Sequence, residues 1–324
     1  MKIPPNEAGI EPIYLLWGPR MIVLHNGQLQ AMVSPRGAKL VSLSWLTPDG
    51  TAVELLQPSV DPLRRPQVLG EVFDERQAWG GDICAPSVSA CKFDFEGYHL
   101  TVGDHGDFWQ KHFQVDDCSR SSHSSSSYAE AASEDKSLRA QSKEFTLTVC
   151  YSLEGSQLFR HYTVTNRTQV PLPFLFADHL LFPVDEWDGL EIMAPVEGQY
   201  RVESSFADKL GRRGDQVEFP RRRVPPFADK LFASLVAAET KEYSGGWKVC
   251  RDGQELWVTL SSRELAFLGY WHTEGGWHDQ YNFGLELTSS PHDDLQQAVA
   301  DGSAWILPPG ERRSWAIRLE VSLE

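Results

Sequence analysis

The amino-acid sequence predicts a mainly β fold, a large antiparallel sandwich. Three observations carry that expectation. Apolar residues alternate with a period of 2 in well-separated segments, turn dipeptides punctuate them, and amphipathic helical spacing is scarce.

In chain order, the first reversal falls at Asn26-Gly27, a pair whose tolerance of positive φ suits a tight turn between antiparallel strands. Val41, Leu43 and Trp45 then mark the buried face of a strand, followed by a second turn at Asp49-Gly50. Residues 118–144 are polar and serine-rich with nothing to bury, so a flexible hairpin loop is expected there. Strand pattern resumes at once: Phe145, Leu147, Val149, Tyr151 and Leu153 alternate with small or polar residues. Residues 226–236 and 293–300 offer the best helical spacing, and Asp252-Gly253 marks another hairpin. Trp315, Ile317, Leu319, Val321 and Leu323 close the chain as a strand with one core face. No segment repeats at a fixed spacing, which argues against a propeller or solenoid. A single domain over residues 1–324 is expected.

Composition narrows the partners. The 324 residues carry 45 acidic against 30 basic side chains, a formal charge of −15. Such an excess repels phosphate backbones and anionic membrane surfaces, so neither nucleic acid nor membrane is an expected partner. No apolar run approaches the roughly 18 residues of a membrane span, and the first residues hold prolines and acids where a signal peptide needs an apolar core. A cytoplasmic location is expected. Five cysteines, odd in number and without a C-x-x-C pair, indicate neither a disulfide framework nor a zinc knuckle; free, buried thiols are expected. Asn166-Arg167-Thr168 fits a glycosylation acceptor by composition alone.

Glycine-rich phosphate loops, the G-x-S-x-G elbow and H-E-x-x-H are all absent. His272 and His278 could form a metal pair across a loop, but no third ligand is adjacent, and no metal or other cofactor is expected. The basic run Arg221, Arg222 and Arg223 reads as a solvated loop. Three titratable residues stand out by context instead. His105 lies in a glycine-flanked turn, Asp104-His105-Gly106, with Trp109 four residues on. His179 interrupts the apolar run from Phe174 to Phe182, where burial demands a hydrogen-bond partner. Glu286 is a lone carboxylate in the strand-like Tyr281–Thr288, and desolvation of such a group suits a general base.

The order of several short blocks resembles the aldose 1-epimerase (galactose mutarotase) superfamily, in its divergent bacterial mutarotase-like branch. These blocks are Gly37-Ala38 through Leu43, Trp79-Gly80-Gly81-Asp82 through Pro86, Asp104-His105-Gly106, Asp178-His179, Gly275-Gly276-Trp277 with Leu285-Glu286, and Leu307-Pro308-Pro309-Gly310-Glu311. The likeness spans residues 20 to 324. It implies a β-supersandwich with a sugar cleft on one sheet and an isomerase that opens the pyranose by acid/base chemistry. Glu286 would take the anomeric proton, His179 would protonate the ring oxygen, and His105 would hold the ring oxygen or a neighbouring hydroxyl. Asp82, Trp79, Trp109, Asp178 and Trp277 would bind the sugar. Galactose-type relatives grip the sugar with an arginine near the second block, whereas here the stretch reads Asp82-Ile83-Cys84-Ala85-Pro86-Ser87-Val88. That departure keeps a second expectation open: a carbohydrate-binding protein on the same fold without turnover. A lyase or glycoside hydrolase would need a further acid or tyrosine facing Glu286, with Asp82, Asp178 and Tyr281 as candidates.

Overall fold

The structure is a computed structural model that describes residues 21–323, apart from 49, 60–72, 75, 118–134, 185–190, 194–199, 218–224, 236–242 and 252–253. The described residues build two large antiparallel sheets, one of 11 strands and one of 8. Side by side in the larger sheet run Gly81–Cys84, Ala177–Pro183, Tyr281–Thr288, Phe267–Glu274 and Phe227–Leu235. The smaller sheet is centred on Gln254–Ser262, Arg312–Leu323, Gln157–Asn166 and Phe145–Glu154.

Period-2 alternation explains why the sheets pack. Leu180 and Phe182, Phe283, Leu285 and Leu287 leave the larger sheet on one face. From the smaller sheet Leu147, Val149, Tyr151, Ile317, Leu319 and Val321 join the same core cluster. Each such side chain contributes roughly 1.5–3 kcal/mol by leaving water. Residues of opposite parity on the larger sheet are therefore turned away from the smaller one, and His179, Glu286 and Lys230 lie there.

Local expectations meet the structure unevenly. Ile22–His25 and Leu29–Ser34 pair across Asn26-Gly27, with Gly27 at φ 84° and the Asn26 side chain accepting from the Gln28 and Leu29 amides. Leu295–Ala300 is helical, capped by Asp294, whose carboxylate accepts from the Gln296 and Gln297 amides. The expected helix at 226–236 is instead the strand Phe227–Leu235. The apolar spacing of Phe227, Leu231 and Leu235 fits four-residue and two-residue periods alike, and pairing with Phe267–Glu274 decides for the strand. Residues 118–144 are not all loop, because Lys136–Gln141 pairs with Phe145–Glu154 and buries Leu138 and Ala140. Residues 118–134, Arg221 to Arg223 and Asp252-Gly253 lie outside the described residues. Leu323, expected on the core face, is 47% exposed at the strand end.

The cysteine expectation is corrected in part. Cys84 and Cys91 are free, but Cys150 is disulfide-bonded. Pairing depends on how close the folded strands bring two sulfurs, which spacing along the chain does not encode. Asn166 is 1% exposed and donates its amide to the Val170 and Leu307 carbonyls, so its side chain belongs to the interior. No helix among the described residues is long and apolar enough to cross a membrane.

Candidate active site

Register places the outward-facing residues of the larger sheet at one level. Asp82 pairs with His179. Ala177 pairs with Thr288 and Leu180 with Leu285, which sets His179 level with Glu286. Glu286 pairs in turn with Gly269, and Trp271, two residues along that strand, pairs with Lys230. Directly opposed residues of an antiparallel pair share a face. Asp82, His179, Glu286, Gly269, Trp271 and Lys230 therefore form one continuous floor.

His105 reaches this floor from a turn. Its backbone sits at φ 57°, a left-handed conformation uncommon for a residue with a side chain, and its amide donates to the Val88 carbonyl at 2.6 Å. Gly106 follows at φ 80°; a Cβ there would fall 2.1 Å from the Ala85 carbonyl oxygen, so glycine alone permits this approach. The His105 ring stacks on Phe73 at 3.8 Å and meets the His179 ring edge-on at 5.5 Å. Its Nδ1 lies 3.2 Å from the Asp104 carboxylate.

Above the floor opens a cavity of about 520 Å³ whose walls include Phe73, His105, His179, Lys230, Trp271 and Trp277. Such a volume falls in the range of small-molecule sites. Glu286 lies just beneath, fully buried and covered by its neighbours. Its Oε2 is 3.2 Å from Lys230 Nζ, and its Oε1 is 3.7 Å from His179 Nε2. Glu286 Oε1 and His179 Nδ1 are both buried without a hydrogen-bond partner. Lys230 Nζ also lies 3.0 Å from Asp293 Oδ1.

These contacts set the charges. Burial, reinforced by the nearby His105, Lys230 and Lys39, holds His179 well below the usual imidazole range, so its ring is neutral at pH 7. For Lys230 burial alone would favour the amine, but the Asp293 and Glu286 carboxylates outweigh it and raise the ammonium above its ordinary value. The floor thus offers a neutral imidazole, a cation and carboxylates within a few ångströms.

Of the residues expected from sequence, His105, His179 and Glu286 converge, and Trp277 lines the cavity. Four others take different positions. Asp178 has the opposite parity to His179, faces the smaller sheet and is ion-paired with Arg160, both buried. Trp109 is fully buried, with its indole N–H donating to the Asp104 carbonyl; it backs Phe73 from the edge. Trp79 is buried beneath the Lys39 ammonium, 4.1 Å from the ring centre. Asp82 is buried and ion-paired with Lys39. Burial and these partners place Asp178, Trp109, Trp79 and Asp82 beneath or behind the cavity rather than on its wall. Tyr281 is 49% exposed at the start of its strand.

Lys230, Phe73, Trp271 and Asp293 were not anticipated. For Lys230 a signal exists, since it interrupts Phe227–Leu235 as Glu286 interrupts its own strand, but the helical reading of that segment hid it. His272 is buried on the inner face between Tyr270 and Glu274, while His278 sits in an exposed turn against Trp277. No group of three or more His, Cys, Asp or Glu among the described residues could hold a metal ion.

No family model matches the sequence, and no curated protein does. Solved structures match across nearly the whole chain. The galactose mutarotase related enzyme from Lactobacillus acidophilus aligns with a TM-score of 0.66 and 14% identity, over 94% of this chain and 97% of that one. A galactose mutarotase-like protein from Lactobacillus casei gives 0.64 and 18%, over 94% and 100%. A putative aldose 1-epimerase from Escherichia coli K12 gives 0.62 and 17%, over 94% and 99%. The chain has the galactose mutarotase-like fold.

Proposed function

We propose that this protein interconverts the α and β anomers of an aldose, with Glu286 as the base. One observation carries the reading: Glu286 Oε1 is buried and unpaired, 3.7 Å from His179 Nε2, on the floor of an aromatic-walled cavity that His105 also enters. Leaving a buried carboxylate oxygen unpaired is costly, and a hydroxyl brought by a ligand removes that cost. The neighbours in fold, described as mutarotase-related and as a putative aldose 1-epimerase, support the same chemistry.

In this reading the sugar lies with a C–H face against Trp277 or Trp271 and its hydroxyls toward the imidazoles. Glu286 takes the proton of the anomeric hydroxyl as the bond between C1 and the ring oxygen breaks. The ring oxygen receives a proton from a cationic group on the cavity wall, and the open aldehyde rotates about C1–C2. Closure on its other face reverses both proton movements. His105 and His179, the latter neutral, hold adjacent sugar oxygens. No cofactor enters this scheme.

A binding protein without turnover is the second reading, favoured by the burial of Glu286 beneath Lys230. Exchange spectroscopy on the anomeric protons of a panel of aldoses separates the two. The enzyme reading expects accelerated exchange that Glu286→Gln reduces by about 10²–10⁴-fold with the fold intact. Sugar-induced shifts without accelerated exchange would establish the binding reading instead.

A further inference from the structure

Lys230 belongs both to the floor and to the cavity wall, and it carries the charge that meets Glu286. It is 12% exposed and lines the cavity, while Glu286 behind it is fully buried. Its side chain reaches Glu286 across the middle strand at Gly269, where a Cβ would stand 3.1 Å from Glu286 Cβ and 3.3 Å from its Oε2. The absent side chain is what lets the ammonium meet the carboxylate. On its other side Lys230 meets Asp293, whose backbone carbonyl is fixed by the Val88 and Ser89 amides at 3.0 and 2.9 Å.

Resting on the epimerase reading, we propose that Lys230 is the catalytic residue that gives a proton to the ring oxygen, working as a pair with Glu286. The two oxygens on an anomeric carbon are spaced much like the two oxygens of a carboxylate. An anomeric hydroxyl donating to Glu286 Oε1 therefore sets the ring oxygen on the side of Oε2, where Lys230 Nζ already lies.

The step balances without a co-reactant. The anomeric O–H bond breaks and its proton goes to Glu286, while the electron pair of the breaking C1–ring-oxygen bond goes to the ring oxygen. That oxygen takes a proton from the Lys230 ammonium as Glu286 passes its newly gained proton to the amine, so the ion pair is restored while the sugar is open. Closure of the aldehyde reverses these transfers, and the net charge of the floor never changes. His179 is less suited to the role, because it carries no extra proton at pH 7. The groups facing Lys230 are Glu286, Asp293, His179 and the Cys84 thiol, which burial keeps protonated.

The test uses the full chain, Lys230→Met and Lys230→Arg, and anomer exchange measured by NMR from pH 6 to 9. Arginine keeps the charge but does not give up a proton. Both variants are expected to lose about 10²-fold or more in exchange rate, with sugar affinity largely kept in Lys230→Arg. The wild-type rate is expected to hold between pH 7 and 9, since the ammonium stays charged there. Near-wild-type exchange in Lys230→Arg would reduce the residue to an electrostatic role, and near-wild-type exchange in Lys230→Met would remove it altogether. A wild-type rate that falls from pH 6 upward would return the proton to a histidine. Should Lys230→Met fail to fold, Lys230→Arg decides. A wild-type protein that exchanges no aldose overturns the epimerase reading itself, and the role of Lys230 with it.

Discussion

His179 Nε2 and Glu286 Oε1 stand 3.7 Å apart on neighbouring strands, too far for a hydrogen bond and too close for another side chain to enter between them. Burial and the surrounding positive groups keep His179 neutral, so the contact is not a salt bridge in the ordinary sense. A ligand oxygen set to one side of this pair, toward the cavity, would reach both atoms at hydrogen-bonding distance.

Gly269→Ala tests how tightly this arrangement is built. The added Cβ would meet Phe232 at 3.0 Å, Glu286 Cβ at 3.1 Å and Glu286 Oε2 at 3.3 Å. Overpacking of this kind costs about 1–3 kcal/mol, and the neighbours that must give way include Glu286, the partner of Lys230. A lower melting temperature is expected together with a marked fall in anomer exchange; unchanged exchange would show that the Glu286–Lys230 geometry is dispensable.

Asp178→Asn separates structure from chemistry on adjacent residues. Asp178 and Arg160 form a buried pair between the sheets, and removing one charge strands the other. Breaking such a pair costs about 3–5 kcal/mol, whereas replacing both partners by apolar residues is often neutral. Denaturant unfolding should show that loss for Asp178→Asn and recover most of it in Arg160→Met with Asp178→Leu. Ligand affinity per folded molecule should hold, and a specific loss of sugar binding would return Asp178 to the site.

The depressed His179 links stability to pH. In the unfolded chain this histidine titrates at about 6.5, while in the fold burial leads His105, Lys230 and Lys39 in holding it lower. As pH falls below the unfolded value, the unfolded state takes up a proton that the native state refuses, so stability declines until the native ring titrates. Melting curves of wild type and His179→Gln should therefore converge or cross on acidification from pH 7.5 to 5, the variant losing less. Parallel curves would mean that His179 titrates alike in both states.

Much of the fold was legible because period-2 burial is a local property. Phe145 to Tyr151 and Trp315 to Val321 alternate in sequence as they do in the core, and Asn26-Gly27 turns where its tolerance of positive φ allows. Legibility failed at Phe227–Leu235, whose apolar spacing satisfies both periods, and the same failure concealed Lys230.

In the site, residue type and local context singled out His105, His179 and Glu286, since each is a titratable group where the chain is otherwise apolar or glycine-bound. Their convergence was beyond any local signal. The larger sheet sets His179 level with Glu286, Gly269 leaves the gap that Lys230 crosses, and parity turns Asp178 inward to Arg160 while its neighbour faces the cavity. Alternation along a strand is written in the sequence; which strands lie side by side, and in what register, is decided by long-range pairing. That pairing made a floor from side chains that sequence alone left scattered.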